Sequence, residues 1–331
     1  MKKIQGIGIG LIILIALTTS LAGPAMAQDN YTKIAVPFSV DQMDGGFQIP
    51  SGSTIHHLAN GITEVYGPDK SSILKAKDSD SSLIPTPAGL MRATYVYHVP
   101  SKSMIDGVGN ITKVYQGETV ILTVIDDNPE KVVPSYSGWI ESSQDWSVDS
   151  LDYFYAKWVV PSDPPDPSAN VVDFLFNAIE PDDGTKIIQP VLEWNYGGSD
   201  RWTGAAWVVW DSGSYRATPI NASAGNEIWG TMCYDGMWDV DIYNRSAGGS
   251  SFLTTSRLGV DDLAVFCALE GYNIDGNDDV PGDTTFDDME FKYGESSVDI
   301  TWVEQISWGT GLTGLDVEIF SDAKVKLHTA N

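Results

Sequence analysis

Positive charge is scarce in this chain: 19 lysines and arginines stand against 45 aspartates and glutamates, a formal net charge of −26. A surface of that sign repels nucleic acid and anionic lipid, so neither is expected as a partner. Histidine is rarer still. Of His56, His57, His98 and His328, only the adjacent His56-His57 pair has a ligand-spaced neighbour, and there is no Cys-x-x-Cys, which argues against a zinc site. Cysteine occurs twice, as Cys233 and Cys267. In an oxidising compartment an even count invites one disulfide; two buried free thiols are the alternative, because both lie in apolar, strand-like segments. Long apolar runs are missing after Ala22, and no segment sustains a 3.6-residue apolar period long enough to specify a helix.

What is present begins with an export signal. Lys2 and Lys3 precede an apolar run from Ile7 to Ala22, and Ala25-Met26-Ala27 forms a small-x-small cleavage site ahead of Gln28. The run is shorter than the roughly 20 residues a spanning helix needs. Residues 1–27 are therefore expected to be a signal peptide, leaving a secreted, extracellular chain with no membrane attachment. Cleavage would remove two lysines and no acid, taking the balance to 17 against 45, or −28. Such a surface suits high salt, divalent cations or an acidic medium, and it also serves plain solubility.

An internal repeat occupies the next region, residues 28–130. Ile49-Pro50-Ser51-Gly52-Ser53 with Gly61-Ile62-Thr63-Glu64-Val65-Tyr66 is echoed by Val99-Pro100-Ser101-Lys102-Ser103 with Asn110-Ile111-Thr112-Lys113-Val114-Tyr115. The copies span 49–78 and 99–127, and each reads as three short strands broken by Gly, Asn and Pro-Asp. Ser79 to Pro87 is the turn-rich join. Asp126-Asp127-Asn128-Pro129-Glu130 is a second breaker and the expected boundary to a larger domain, 131–331. There, many short alternating runs separated by Gly, Asp, Asn and Pro specify an all-β sandwich or barrel.

Ile188-Gln189-Pro190-Val191-Leu192-Glu193-Trp194 is similar to the strand that carries the catalytic glutamine of the eqolisins, the glutamic peptidases. Its neighbours follow in the family's order. Phe154-Tyr155-Ala156-Lys157-Trp158-Val159-Val160-Pro161 lies upstream; Ala206-Trp207-Val208-Val209-Trp210, Ala224-Gly225-Asn226-Glu227-Ile228 and Asp239 to Ser246 lie downstream; Ala268-Leu269-Glu270 through Phe291 closes the series. The resemblance covers about residues 139–320. It implies a lectin-like jelly-roll, an antiparallel β-sandwich with a concave cleft. It also implies a glutamine–glutamate pair that hydrolyses polypeptide in acid. The glutamate moves the proton, and the glutamine amide, which cannot titrate, donates to the developing oxyanion. In strict alignment Asn273 or Ile274 stands at the family's glutamate, and Val208 and Val209 stand near its supporting carboxylate.

Gln189 and Glu270 are the expected catalytic residues, Glu270 lying earlier on the closing strand than the family's glutamate. Glu193, Trp194, Trp207, Val209 and Asn273 are expected to line the cleft. On a strand, Gln189, Val191 and Glu193 share one face while Pro190, Leu192 and Trp194 share the other. No cofactor is required. Asp275, Asn277, Asp279 and Asp283 form a dense loop that could offer oxygen ligands to calcium, though not in EF-hand spacing. The expected partner is an extracellular polypeptide or polysaccharide. A non-catalytic binding module is the alternative, and a glycan-cleaving enzyme, with Glu193 and Glu270 as its carboxylates, is a third reading.

Overall fold

Period-two alternation in the sequence becomes two large stacked sheets. The computed structural model describes residues 31–40, 46–128, 135, 138–168, 170–210, 212–307 and 311–331, so the predicted signal peptide and part of the 126–130 breaker lie outside the described residues. Among those residues no helix is long and apolar enough to cross a membrane.

One sheet is 11-stranded among the described residues. Its centre is antiparallel: Gly213–Ala217, Trp202–Trp210, Ile187–Trp194, Val172–Pro181, Asp261–Tyr272 and Trp139–Ser150, in that spatial order. The other sheet is 14-stranded and contains Tyr153–Val159, Glu227–Tyr234, Trp238–Asn244 and Ser250–Thr255. Between them lies the larger core, including Trp158, Leu175, Ile188, Leu192, Val208, Met232, Ile242 and Val265. The Gln189 strand feeds it with Ile188, Leu192 and Trp194, while Ile187 and Val191 point into a second apolar cluster on the sheet's opposite face. An all-β sandwich is therefore what the chain adopts.

The repeats are three-stranded antiparallel meanders, Ser53–Leu58, Ile62–Tyr66 and Ser72–Lys77 in one copy and Ser103–Val108, Ile111–Gln116 and Thr119–Asp126 in the other. Their entries match in detail. Ser53 Oγ donates to the Pro50 carbonyl at 2.6 Å and Ser103 Oγ to the Pro100 carbonyl at 2.7 Å. Gly52 and Lys102 both have positive φ, 84° and 69°. Asp78 N–H donates to Gly61 O and Asp126 N–H to Asn110 O, which makes Asp126 the counterpart of Asp78.

The repeats do not stand apart. The second copy pairs parallel with the sandwich through Ser103–Ile105 against Leu253–Thr255, and its last strand pairs parallel with Ser53–Leu58. Val96–Val99 pairs parallel with Ser214–Ala217 and so extends the other sheet. Residues 31–331 form one compact unit, and the boundary near 130 divides strands of shared sheets rather than two bodies. The all-antiparallel expectation holds for the sandwich centre and gives way to parallel pairing where the repeats join. His57 marks the join from within. Its ring bonds Thr63 Oγ1 and Tyr97 OH and stacks on Tyr95, and burial, with His56 beside it, pushes its pKa down to about 3.

The disulfide does not form. Cys233 is exposed on one sheet, while Cys267 is buried on the other against Met289 Sδ. We expect a thiol reagent to modify Cys233 in the native protein and to reach Cys267 only in denaturant. Two rapidly reacting thiols, or none, would contradict this arrangement.

Candidate functional site

On the face of the 11-stranded sheet away from the main core, alternation places Gln189, Val191 and Glu193 beside Trp207, Val209, Phe174, Phe176 and Glu270. Trp207 and Val209 thus stand on the expected face. Trp194 does not: it points into the inter-sheet core, 5.4 Å from the Trp202 ring, because its position in the strand has opposite parity to Gln189.

A hairpin lies over this face. Among the described residues Leu83–Thr86 and Gly89–Arg92 pair only with each other, and their turn rests on the site residues. Gln189 Nε2 donates to the Pro87 carbonyl at 2.6 Å. Tyr272 OH reaches the Thr86 carbonyl at 3.3 Å, and Ser135 N–H donates to the Ala88 carbonyl at 2.8 Å. Thr86 Oγ1 donates to Gly89 O, closing the turn on itself. Gly89 has φ +113°, and a Cβ there would sit 2.8 Å from Ser135 Cβ, so the turn depends on glycine at that position.

Glu270 is fully buried and accepts a hydrogen bond from Tyr272 OH. Burial pushes its pKa up to about 8, against the opposing pull of Tyr272, the Gly89 backbone and Trp139. The carboxyl is therefore protonated in acidic and neutral solution and cannot act as a base while the turn is seated. Gln189 and Glu270 do not bond to each other. Glu270 is level with Phe174 and so is Glu193, two strands away, whereas Gln189 lies four residues further along. That separates the two backbones by on the order of 16 Å. What joins the side chains is the turn, which holds one through Pro87 and the other through Gly89.

Glu193 has a different office. Arg216 grips it with a two-pronged fork, Nε to Oε1 at 2.8 Å and Nη2 to Oε2 at 2.6 Å. Thr203 Oγ1 and Trp207 Nε1 complete its shell at 2.8 and 2.7 Å. With both oxygens engaged and no exposure, Glu193 is an anchor rather than an acid or base, which leaves the two-carboxylate glycan reading without a second reactive group. Arg216 was not legible in the sequence, since it meets Glu193 only through strand pairing; Tyr272, two residues from Glu270 on the same strand, shares its face by alternation and was there to be read.

The calcium loop is otherwise engaged. Asp279 accepts from the backbone N–H groups of Ser168, Asp275 and Gly276; Asp283 pairs with Lys326 and accepts from Thr329 N–H; Asn277 bonds Thr313. Among the described residues no three His, Cys, Asp or Glu converge as metal ligands. These side chains fasten the loop to its surroundings. Asn273, expected at the cleft, lies at the rim of a neighbouring cavity with φ 61°, and its amide donates to Asn170 O at 2.7 Å.

No family model matches the chain, and no curated protein matches it. Among solved structures it is similar to scytalido-glutamic peptidase bound to a peptide-based transition-state analogue, at 19% identity over 59% of this chain and 98% of that one, with a TM-score of 0.43. It is similar to SCP-B, a member of the eqolisin family of peptidases in complex with the tripeptide Ala-Ile-His, at 18% identity over the same shares and with the same TM-score. Bacillus licheniformis β-glucanase aligns over 70% of this chain and 87% of its own, at 8% identity and a TM-score of 0.28.

Proposed function

We propose that this chain is a secreted protein whose sheet face receives an extended polypeptide, and that it is a latent acid endopeptidase closed by its own hairpin. One observation carries the reading: the Gln189 amide donates at 2.6 Å to a peptide carbonyl, that of Pro87. This is the contact a hydrolase of this type must make to the carbonyl it polarises. Glu270 would carry the proton. In the closed state it is neutral; lifting the turn would admit water, return its pKa toward the ordinary range and restore a base. The complete burial of Gln189 and Glu270 favours a second reading, a non-catalytic extracellular binding module on the same scaffold.

Cleavage of a denatured protein between pH 3 and 7 separates the two. The native chain should act slowly and Gly89→Ala, which strains the turn, faster. Adding Gln189→Ala to the loosened chain should reduce the rate by about 100-fold or more. Absence of cleavage by every variant, with the fold intact by circular dichroism, would leave the binding module as the function.

A further inference from the structure

A cavity of about 600 Å³ opens beside the hairpin, with Leu83, Ile84 and Pro85 forming one wall. Its other wall is His98, Tyr196, Arg201 and Arg216. No aspartate or glutamate is among its described lining residues, although acids outnumber bases 45 to 19 in the chain, and two of the five arginines face it. The floor is rigid. Arg216 stacks on Tyr196 at 4.5 Å while its fork holds Glu193, and His98 Nε2 lies 3.3 Å from Tyr196 OH. The rim is braced by asparagines in left-handed conformation: Asn195 Nδ2 donates to Val171 O at 2.8 Å, and Asn273 Nδ2 to Asn170 O. Glu193 neutralises Arg216, which leaves Arg201, exposed at the rim and with no ion pair among the described residues, as the uncompensated charge. Asp200, its neighbour in the chain, does not line the cavity.

We propose that this cavity is a subsite for the acidic side chain of a bound peptide, with Arg201 as the residue that selects its carboxylate. A local positive charge at a pocket in an otherwise strongly negative surface attracts an anion where the rest of the molecule repels it. The apolar hairpin wall accommodates the methylene stem of the side chain. The choice of peptide rests on the polypeptide-accepting reading above, since the turn already holds a peptide carbonyl at Gln189. The charge preference itself is read by binding and does not require catalysis.

The test titrates the native chain with acetyl-Ala-Glu-Ala-amide and acetyl-Ala-Gln-Ala-amide, followed by NMR shifts of the tryptophan indole N–H signals. At low salt the glutamate peptide should bind about fivefold or more tightly than the glutamine peptide. The preference should shrink in 0.5 M sodium chloride and vanish in Arg201→Gln, with affinity for the glutamine peptide unchanged. Equal affinity for the two peptides, a preference that survives Arg201→Gln, or binding of digalacturonate with no binding of either peptide overturns the assignment. A charge preference in a chain that cleaves nothing supports the subsite while removing the endopeptidase.

Discussion

Moving this protein from pH 8 to pH 5 should raise its melting temperature, the reverse of the usual behaviour of proteins held by carboxylate ion pairs. The cause is a set of buried carboxyls with no cation paired to them among the described residues. Burial pushes Glu270 up to about 8 and Glu141 up to about 9, and raises Asp173 well above the ordinary range. Among the described residues both oxygens of Asp173 lack hydrogen-bond partners, and the Asp316 and His328 backbones only partly offset the burial of Glu141. A carboxyl whose folded pKa exceeds its unfolded value binds more protons when native. Its full contribution is therefore present below the unfolded value, near 4.5, and is lost as pH climbs toward 8 or 9. His57 acts the other way. Its folded pKa, about 3, lies below the unfolded value, so its contribution is lost as pH falls from about 6.5 toward 3. Above pH 6.5 only the carboxyls act, and between 4.5 and 6.5 they outnumber His57. The net gain from pH 8 to 5 should be several kcal/mol, on the order of 5–10 °C. Scanning calorimetry across this range checks it, and Glu141→Gln should flatten the slope. A melting temperature that rises steadily toward pH 8 would mean that these groups are hydrated and ionised in solution.

The second large effect is expected at Arg216. It is 4% exposed and Glu193 is 0% exposed, so removing the guanidinium leaves a carboxylate with no counter-charge in the second core. Arg216→Met should cost about 3–5 kcal/mol, because the desolvation of Glu193 persists without its partner. Glu193→Leu combined with Arg216→Met should recover most of that loss, since no charge then remains buried. Urea denaturation of the single and double variants reads the difference as a coupling energy. Strictly additive losses would show that the fork contributes nothing beyond packing.

Strand parity was the part of the site most open to sequence reasoning. The side chains of Gln189, Val191 and Glu193 were placed on one face by a two-residue period, and the same rule puts Trp194 opposite, in the core. The repeat, too, was legible, because both copies use the same turn before the first strand and the same threonine in the second, Thr63 and Thr112. Hidden were contacts between distant segments. Nothing local in Leu83–Arg92 announces that its turn will lie on Gln189, about a hundred positions away. Nothing local to Arg216 tells that its strand will place it beside Glu193. The parallel pairings escaped for the same reason: a strand's own residues specify which face is buried, and they say little about which neighbour will supply its hydrogen bonds. The acidic loop was misread through its composition alone. Asp279 and Asp283 carry charge suited to calcium, yet backbone N–H groups and Lys326 already meet that charge.

The parallel seams between the repeats and the sandwich have a consequence for the order in which the molecule assembles. Ser103–Ile105 cannot complete its hydrogen bonds until Leu253–Thr255 has left the ribosome, and Val96–Val99 waits for Ser214–Ala217. The early strands emerge as unpaired edges separated from their partners by more than a hundred residues of chain. Closure over such distances is slow and exposes sticky intermediates meanwhile. Refolding yield should therefore fall with protein concentration, and a helper that shields strand edges should matter more to this chain than one that speeds local turns.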